Sequence, residues 1–358
     1  MGLYIGLDCG WKWFRYEVRD EKGRRIGWGR GECCPGVLHG VLSEYAGEEE
    51  VTVAYEGGTG LYWIHDTVKG LGFVSHPFHA SSFKMIVESK KKTDKMDAKK
   101  IAEAAWKGYL PKEIVVPEGW ERTLRQWVSR REFLRKQLVG LGNNLHALGM
   151  SIGVRLETES LALEEERWER VLSDWMERVK EEAIIEQAKC LYRLALGYFQ
   201  VLEEVEERIE ALMKEKPVSE AREVLQSYPG IGPVTSAAIL AWTGVKAERF
   251  PGGREAASYF GLTGSRYQSG ERDRGGRITK TGPPIVRRLL VQAAWSFVRS
   301  RAGKNSAWGE WYRQVLRRRG SKRAIVGLAR KILTGVIASL QSETRWDPGY
   351  WVRGSKSV

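Results

Sequence analysis

The chain has 358 residues, enough for two or three domains, and 42% of them are hydrophobic, which excludes global disorder. Its formal net charge of +13 favours a polyanionic partner. No stretch approaches the ~20 apolar residues of a membrane-spanning helix, and the N-terminus has no signal-peptide layout, so we predict a cytoplasmic protein with no membrane partner.

Residues 1–110 alternate strand-like and helix-like segments and are predicted to form the first domain. Two short apolar runs end in acidic residues, the first at Asp8 and the second at Glu56. Between them lies a strand pair whose turn, at residues 20–23, is rich in acid, Lys and Gly. Three strands followed by alternating strands and helices predict an α/β domain with a mixed sheet covered by helices.

Four acidic residues in this domain have the order and setting of a metal site. Asp8 and Glu56 each end a strand, whereas Asp94 and Asp97 lie three residues apart at the start of a helical pattern, on one helix face. Such oxygen ligands suit Mg²⁺, with Mn²⁺ as the alternative, and two ions roughly 3.5–4 Å apart can clamp a phosphodiester. Taken singly, the same acids could be turn residues or acids favoured by a helix dipole.

Residues 111–216 are predicted to be a helical middle region. Pro111 and Pro117 mark a linker, and apolar residues at helical spacing then extend over residues 120–150 and 161–216. Residues 157–216 hold 17 acidic and nine basic residues, which argues against contact with DNA. This spacing fits a coiled coil that pairs with a partner helix, or a helical hairpin within one chain.

Residues 217–345 form a third predicted unit, mostly α-helical, followed by a tail over residues 346–358. Near its start, Pro-Gly-Ile-Gly-Pro carries Gly230 and Gly232 and resembles a helix-hairpin-helix, in which a helix N-terminus offers N–H groups to a phosphate. An ordinary tight turn between helices is the alternative, and we expect both glycines to be needed in either case.

The third unit also carries the basic charge. Residues 271–331 contain 17 Lys or Arg and three acidic residues, so we predict a phosphate-binding surface that includes a Gly/Arg-rich loop at 264–282. Ser269 lies in this loop among arginines and could attack a phosphodiester, although a loop serine is more often plain polar filler. The predicted phosphate contacts are Arg266, Arg272, Arg274, Arg277, Lys280, Arg287 and Arg288.

Several linked motifs resemble the "IS one-ten" insertion-sequence transposases, which include the Piv-type invertases. The N-terminal motifs are Tyr-Ile-Gly-Leu-Asp at 4–8, Glu-Gly-Gly-Thr-Gly-Leu-Tyr at 56–62 and Lys-Thr-Asp-Lys-Met-Asp-Ala at 92–98. C-terminal motifs at residues 229–232, 260–263, 267–270 and 278–282 follow the family's order and spacing. The resemblance spans about residues 3–340.

The resemblance implies an RNase-H/RuvC-like N-terminal domain holding the four acids, a coiled-coil middle and a C-terminal transposase domain. It assigns the family's nucleophilic serine to Ser269, with Ser265 as the nearest competitor. It also implies a non-coding bridge RNA that pairs with donor and target double-stranded DNA. Homodimers would assemble into tetramers, in which the acids of one subunit meet the serine of another.

We consider three hypotheses about the function of this chain. The leading hypothesis is an RNA-guided, Mg²⁺-dependent DNA recombinase that forms a covalent phosphoserine intermediate through Ser269. The second is a hydrolytic RuvC-like junction nuclease that uses the same acids and water, and so does not need the serine. The third is a nucleic-acid scaffold without catalysis, in which Asp8 is dispensable.

Overall fold

The computed structural model of the protein describes residues 2–84, 94–155, 161, 164–269 and 272–349. For residues 81, 84, 94–96, 266–269 and 272–274 it describes the backbone and not the side chain. The chain forms two compact units, Met1–Pro117 and Glu118–Val358. The division into parts at residues 110, 216 and 345 stays a prediction.

The N-terminal unit is built on a mixed sheet with the strand order β3-β2-β1-β4-β5, which confirms the predicted sheet. Strand β1 pairs antiparallel with β2 and parallel with β4; β3 pairs antiparallel with β2, and β5 parallel with β4. This topology is consistent with an RNase-H-like fold. The strands are β1 (Gly2–Cys9), β2 (Trp13–Arg19), β3 (Arg25–Glu32), β4 (Glu50–Glu56) and β5 (Val74–Phe78).

Helices pack on both faces of this sheet. The helices are α1 (Pro35–Ser43), α2 (Leu61–Gly70), α3 (Ala80–Lys84) and α4 (Asp94–Trp106). Leu3, Ile5 and Leu7 of β1 belong to a core with residues of α1 and α2, whereas Ala54 of β4 belongs to a second core with residues of α4. Since successive side chains of a strand point to opposite faces, the even-numbered residues of β1 and β4 face α4.

Residues 111–117, predicted as a linker, attach to the sheet of the N-terminal unit. Glu113 forms an antiparallel bridge with Phe78, and the Ile114 backbone nitrogen donates to the Pro77 carbonyl at 2.7 Å. His76 Nε2 lies 2.9 Å from the Pro111 carbonyl oxygen. These backbone bonds explain why the segment belongs to the first compact unit.

The C-terminal unit is mostly helical in its described part. Its elements are α5 (Gly119–Ser151), α6 (Glu165–Arg178), α7 (Glu182–Lys214), α8 (Val218–Gln226), α9 (Pro233–Thr243), α10 (Gly253–Tyr259), β6 (Gly264–Ser269), β7 (Arg272–Ile278), α11 (Pro284–Arg299), α12 (Arg301–Lys304), α13 (Ala307–Arg319) and α14 (Ser321–Ser342). They share one hydrophobic core, to which α9 and α14 contribute many fully buried side chains.

The two long helices α5 and α7 pack against each other as an antiparallel hairpin. The Arg125 side chain near the start of α5 donates to the Ala241 carbonyl of α9, and Lys214 at the end of α7 lines a cavity together with Pro233 of α9. Between these points an Arg131–Glu206 ion pair of 2.7 Å links the two helices. The hairpin alternative therefore describes this chain, while a coiled coil between copies stays a prediction.

Three elements of this unit differ from the prediction. The helical region over 161–216 is interrupted, because the backbone is extended at Val179 and Glu181 and α6 folds back to bury Trp168 and Trp175. The predicted loop at 264–282 contains the antiparallel hairpin of β6 and β7. Helix α13 was not predicted, and it buries Trp308 in the core.

Helix α14 is, by length and composition, apolar enough to cross a membrane, so the expectation that no segment would reach this limit is wrong. Of its most apolar stretch, 56% is buried within the unit. Ile332, Leu333, Val336 and Ile337 are fully buried in the shared core. These contacts are those of a core helix.

Candidate active site

Asp8 and Glu56 lie side by side at one edge of the N-terminal sheet. Gly6 and Leu7 of β1 pair with Ala54 and Tyr55 of β4 in parallel register, which brings the two strand ends together. Both acids are even-numbered, so both belong to the sheet face that α4 covers. The structure thus places them on adjacent strands and on one face, whereas the sequence predicted only that each acid ends a strand.

Helix α4 crosses this face with its first turn at the same edge. At its far end, Trp106 Nε1 donates to the Glu21 carbonyl, 3.0 Å away, in the turn that joins β2 to β3. That turn lies beside the beginning of β1, because Tyr4 pairs with Arg19. Hence α4 runs antiparallel to β1, and its N-terminus, with Asp94 and Asp97, lies near the ends of β1 and β4.

Gly6 is what lets α4 approach so closely. A Cβ on Gly6 would lie 2.9 Å from the Ala102 Cα and nearer still to the Ala98 carbonyl oxygen. Gly6 belongs to the Tyr-Ile-Gly-Leu-Asp motif at residues 4–8, but no role was predicted for it. The available signal was a glycine inside an apolar strand, which often marks close approach by another backbone.

The four predicted ligands are all carboxylates, which is the chemistry that Mg²⁺ and Mn²⁺ require. Asp97 is half-buried at the start of α4, and the side chain of Asp94 lies outside the described part. Among the side chains that the structure does describe, no three His, Cys, Asp or Glu are grouped closely enough to hold a metal ion. The backbone brings the four positions to one edge, but Asp8, Glu56 and Asp97 are among the described side chains and are not grouped closely enough, so convergence of all four carboxylates stays a prediction.

Cys9 follows Asp8 directly but does not join the acidic ligands. Burial raises the pKa of its thiol, and electrostatic repulsion from the side chains of Cys33 and Asp8 raises it further. Its side chain packs against the core that β1 shares with α1 and α2, on the sheet face opposite to Asp8. We therefore assign Cys9 a packing role.

Ser269 is the last residue of β6, near the tip of the β6–β7 hairpin, and it pairs with Arg272. Arg266 and Arg274 also lie in this hairpin, and the side chains of all four residues are outside the described set. The competitor Ser265 donates its hydroxyl hydrogen to the Arg277 carbonyl at 2.9 Å. That bond ties the two strands together and gives Ser265 a structural role.

Two family models match the chain in the places where the motifs lie. A model of the DEDD transposase domain of IS110 elements matches residues 5–149, and the model described as "Transposase IS116/IS110/IS902 family" matches residues 222–309. The first range covers β1, β4 and α4, and the second covers the β6–β7 hairpin. The chain belongs to the IS116/IS110/IS902 family of transposases.

Curated relatives are named as transposases. The transposase is 27% identical over 280 residues to the transposase of element IS1111A from Coxiella burnetii, covering 76% of this chain and 73% of that one. It is 24% identical to the transposase of element IS1328 from Yersinia enterocolitica, covering 78% and 80%. A "Probable family 20 transposase" of Pseudomonas aeruginosa is 35% identical over 125 residues, 35% of this chain and 37% of that one.

The predicted phosphate contacts whose side chains the structure describes fall into two groups. Arg277 and Lys280 are exposed. Arg287 donates to the carbonyls of Phe260 and Thr281, at 3.1 and 2.7 Å, and Arg288 pairs with Glu132 of α5. Phosphate binding by Arg287 or Arg288 would compete with these bonds, so Arg277 and Lys280 are the better candidates among the described side chains.

The two glycines between α8 and α9 are not equivalent. Gly230 has φ +89°, and a Cβ there would lie 2.9 Å from the Phe297 nitrogen of α11 and closer still to the Ala293 carbonyl. Gly232 is the N-cap of α9 with φ −97° and ψ −176°, and no atom lies within 4 Å of a Cβ placed on it. Only Gly230 is required sterically, which corrects the expectation that both are needed.

We expect Gly230→Ala to lower the free energy of unfolding by about 1–3 kcal/mol, because it forces a side chain into positive φ and against α11. Gly232→Ala should change it by no more than about 0.5 kcal/mol, since the backbone is extended and the space is open. Urea unfolding of the two variants checks this pair. Equal losses would contradict the packing of Gly230 on α11.

Proposed function

We propose that this transposase cuts and rejoins DNA strands at a site where Asp8, Glu56, Asp94 and Asp97 hold one or two Mg²⁺ or Mn²⁺ ions. The observation that supports this most is the edge shared by Asp8, Glu56 and the first turn of α4. Bound there, the ions would neutralise charge on the scissile phosphate and lower the pKa of the attacking hydroxyl. The four carboxylates would hold and orient them.

Ser269 is the proposed nucleophile. Its Oγ forms a bond to the scissile phosphorus while the bond from phosphorus to the leaving DNA oxygen breaks, and the serine proton ends on that oxygen. One phosphoester replaces another, so the DNA end stays activated and rejoining needs no nucleotide cofactor. Arg277 and Lys280 would bind the flanking phosphates.

Guidance and assembly complete the proposal. A bridge RNA would select donor and target DNA by base pairing, a division of labour that leaves the protein to read the backbone. Homodimers would form tetramers in which the acids of one subunit act with Ser269 of another. The place of action is the cytoplasm, on DNA, and α5 with α7 is the proposed dimerisation region.

The test is to trap a protein–DNA adduct on a nicked substrate with Mg²⁺ present. Wild-type protein should give an adduct that survives denaturation, and Ser269→Ala should give none because it lacks the attacking oxygen. Ser265→Ala is the matched control in the same strand, and it should still form the adduct. Phosphopeptide mapping should then locate the DNA on Ser269.

Two outcomes would reject the serine mechanism. Cleavage without any adduct, with Ser269→Ala cutting as fast as wild type, would instead establish hydrolysis by water at the acidic site. An adduct that persists in Ser269→Ala and is lost in Ser265→Ala would move the nucleophile to Ser265.

A further inference from the structure

The sheet face that carries Asp8 continues across β2 and β3 as a surface of arginines and tryptophans. Asp8 pairs with Arg15 of β2, and Arg15 pairs with Arg30 of β3. Directly paired residues of antiparallel strands point to the same face, so these three side chains form a row. Trp13 and Trp28 lie on the same face by alternation. We call Trp13, Arg15, Trp28 and Arg30 the Arg/Trp face.

Both tryptophans of the Arg/Trp face are open to solvent, although indole rings are costly to expose. Trp13 is 53% exposed and Trp28 is 59% exposed. The Arg30 guanidinium lies 5.2 Å from the Trp13 ring centre, and that of Arg25 lies 5.7 Å from the Trp28 ring centre. Each cation–π contact holds an arginine beside a ring and keeps the ring in place.

Arg25 reaches this face because of a break in the ladder. The pairing of β2 with β3 shifts between Val18 and Arg19. Arg19 therefore pairs with Arg25 and not with Ile26, the residue next to Gly27. The extra residue in β3 returns Arg25 to the side of Trp28, which simple alternation would not allow. The irregularity thus adds a third arginine to the same surface.

A cavity connects the Arg/Trp face with α4. It measures about 460 Å³, and its lining includes Arg15, Trp28, Arg30 and Ala98. Ala98 follows Asp97 directly, so the cavity opens beside the first turns of α4. Arginine and tryptophan side chains therefore extend from the edge of the proposed metal site to the outer strand of the sheet.

The acids of this face are Asp8, which lies opposite Arg15, together with Glu17 and Glu32. Glu17 is 6% exposed, and its carboxylate pairs with Arg19 at 2.8 Å. Glu32 pairs with Trp13 at the outer end of β3. Three arginines beside two exposed rings match a chain of phosphates and accessible bases.

We propose that the Arg/Trp face binds single-stranded DNA, namely the unpaired strand that leads to the scissile phosphate. A ring can stack on a base only when the base has left its duplex, so exposed tryptophans favour an unpaired strand over double-stranded DNA. We propose DNA as the ligand of this face because the face continues from Asp8. This inference rests on the proposed function, since it takes Asp8 as the place of cleavage.

The test measures binding of the full-length protein to dye-labelled oligothymidine by fluorescence anisotropy in EDTA. Trp28→Ala should weaken binding about tenfold, in the range of stacking on one base, and Trp28→Phe should retain most of the affinity. Arg30→Gln should lower the slope of log affinity against log salt by about 0.7, the value for one phosphate of a single strand. Tyr109→Ala, an aromatic residue of the same unit that is 64% exposed beyond α4, is the control and should bind like wild type.

Matched duplex DNA and oligouridine are the comparison ligands. Duplex binding that is unchanged in Trp28→Ala supports the proposal, whereas equal losses on both DNA forms overturn it. A loss confined to oligouridine would assign the face to RNA and overturn it too. The proposal is also overturned if Trp28→Ala binds DNA like wild type but has an altered sedimentation coefficient. That result would make the face an interface between copies of the chain.

Because binding is measured without metal, this result is independent of the metal site. If Asp8→Asn cleaves DNA normally, the proposed function fails whatever Trp28→Ala does. If Asp8→Asn is inactive and Trp28→Ala binds oligothymidine like wild type, the Arg/Trp face alone is rejected. Melting temperatures of the Trp28, Arg30 and Tyr109 variants, expected to match wild type at these exposed positions, exclude unfolding as the cause.

Discussion

Asp8→Asn is expected to reduce Mg²⁺-dependent DNA cleavage by at least about 10²–10³-fold, the scale on which loss of a charge-stabilising group acts. The amide keeps the shape of the side chain but loses the negative charge that a hard cation requires. Single-turnover cleavage rates with Mg²⁺ and with Mn²⁺ measure the effect. Thermal melting of the same protein should show that it remains folded.

Glu21→Gln provides the matched control for this experiment. Glu21 is exposed in the turn between β2 and β3, near the C-terminus of α4 and thus at the opposite end of the sheet from Asp8. The same change of charge there should leave cleavage unaltered. Recombination that persists in Asp8→Asn would reject metal catalysis at this site and favour a nucleic-acid scaffold.

Gly6→Ala is expected to lower the free energy of unfolding by about 3 kcal/mol, at the upper end of overpacking effects. The new Cβ would overlap the backbone of α4 at Ala98 and Ala102, and backbone in a packed helix cannot move aside as a flexible side chain can. Displaced α4 would carry Asp94 and Asp97 away from Asp8. Cleavage should therefore fall together with stability.

Urea unfolding compares this variant with Gly40→Ala. Gly40 lies within α1, where no atom is within 4 Å of an added Cβ, so alanine there should stabilise by about 0.5–1 kcal/mol through helix propensity. If Gly6→Ala unfolds at the wild-type urea concentration, α4 does not rest on β1 at Gly6, and the geometry inferred for Asp94 and Asp97 fails.

The positions of the acids in the chain were predictable from the sequence, whereas their common edge was not. Apolar runs that end at Asp8 and Glu56 indicate strands, and both predicted strand ends lie within one residue of the observed ends. The parallel register of β1 with β4, and the direction of α4, depend on contacts between residues about 50 to 100 positions apart, such as Gly6 with Ala102. No local pattern encodes them.

The β6–β7 hairpin shows why a Gly/Arg-rich segment is hard to predict. Glycine and arginine have little strand preference, so local sequence indicated a loop, and the ladder forms through backbone bonds between residues such as Gln268 and Asp273. Likewise, charge alone marked Arg288 as a phosphate ligand. Its pairing with Glu132, 156 positions away, is a tertiary contact.

The Arg/Trp face was missed for the same reason. Trp13 with Arg15, and Trp28 with Arg30, each show a spacing of two that puts both side chains on one strand face. That pattern was visible, but the pairing of Arg15 with both Asp8 and Arg30 was not. Register, rather than composition, connects this surface to the proposed catalytic edge.

Anomalous diffraction from crystals of the full-length transposase soaked in Mn²⁺ tests the central claim most directly. We predict a strong manganese peak at the ends of β1 and β4, within bonding distance of carboxylate oxygens from Asp8, Glu56 and the first turn of α4. Asp8→Asn crystals should lack it. Manganese absent from this edge in wild-type crystals, with the four carboxylates on separate surfaces, would contradict the account.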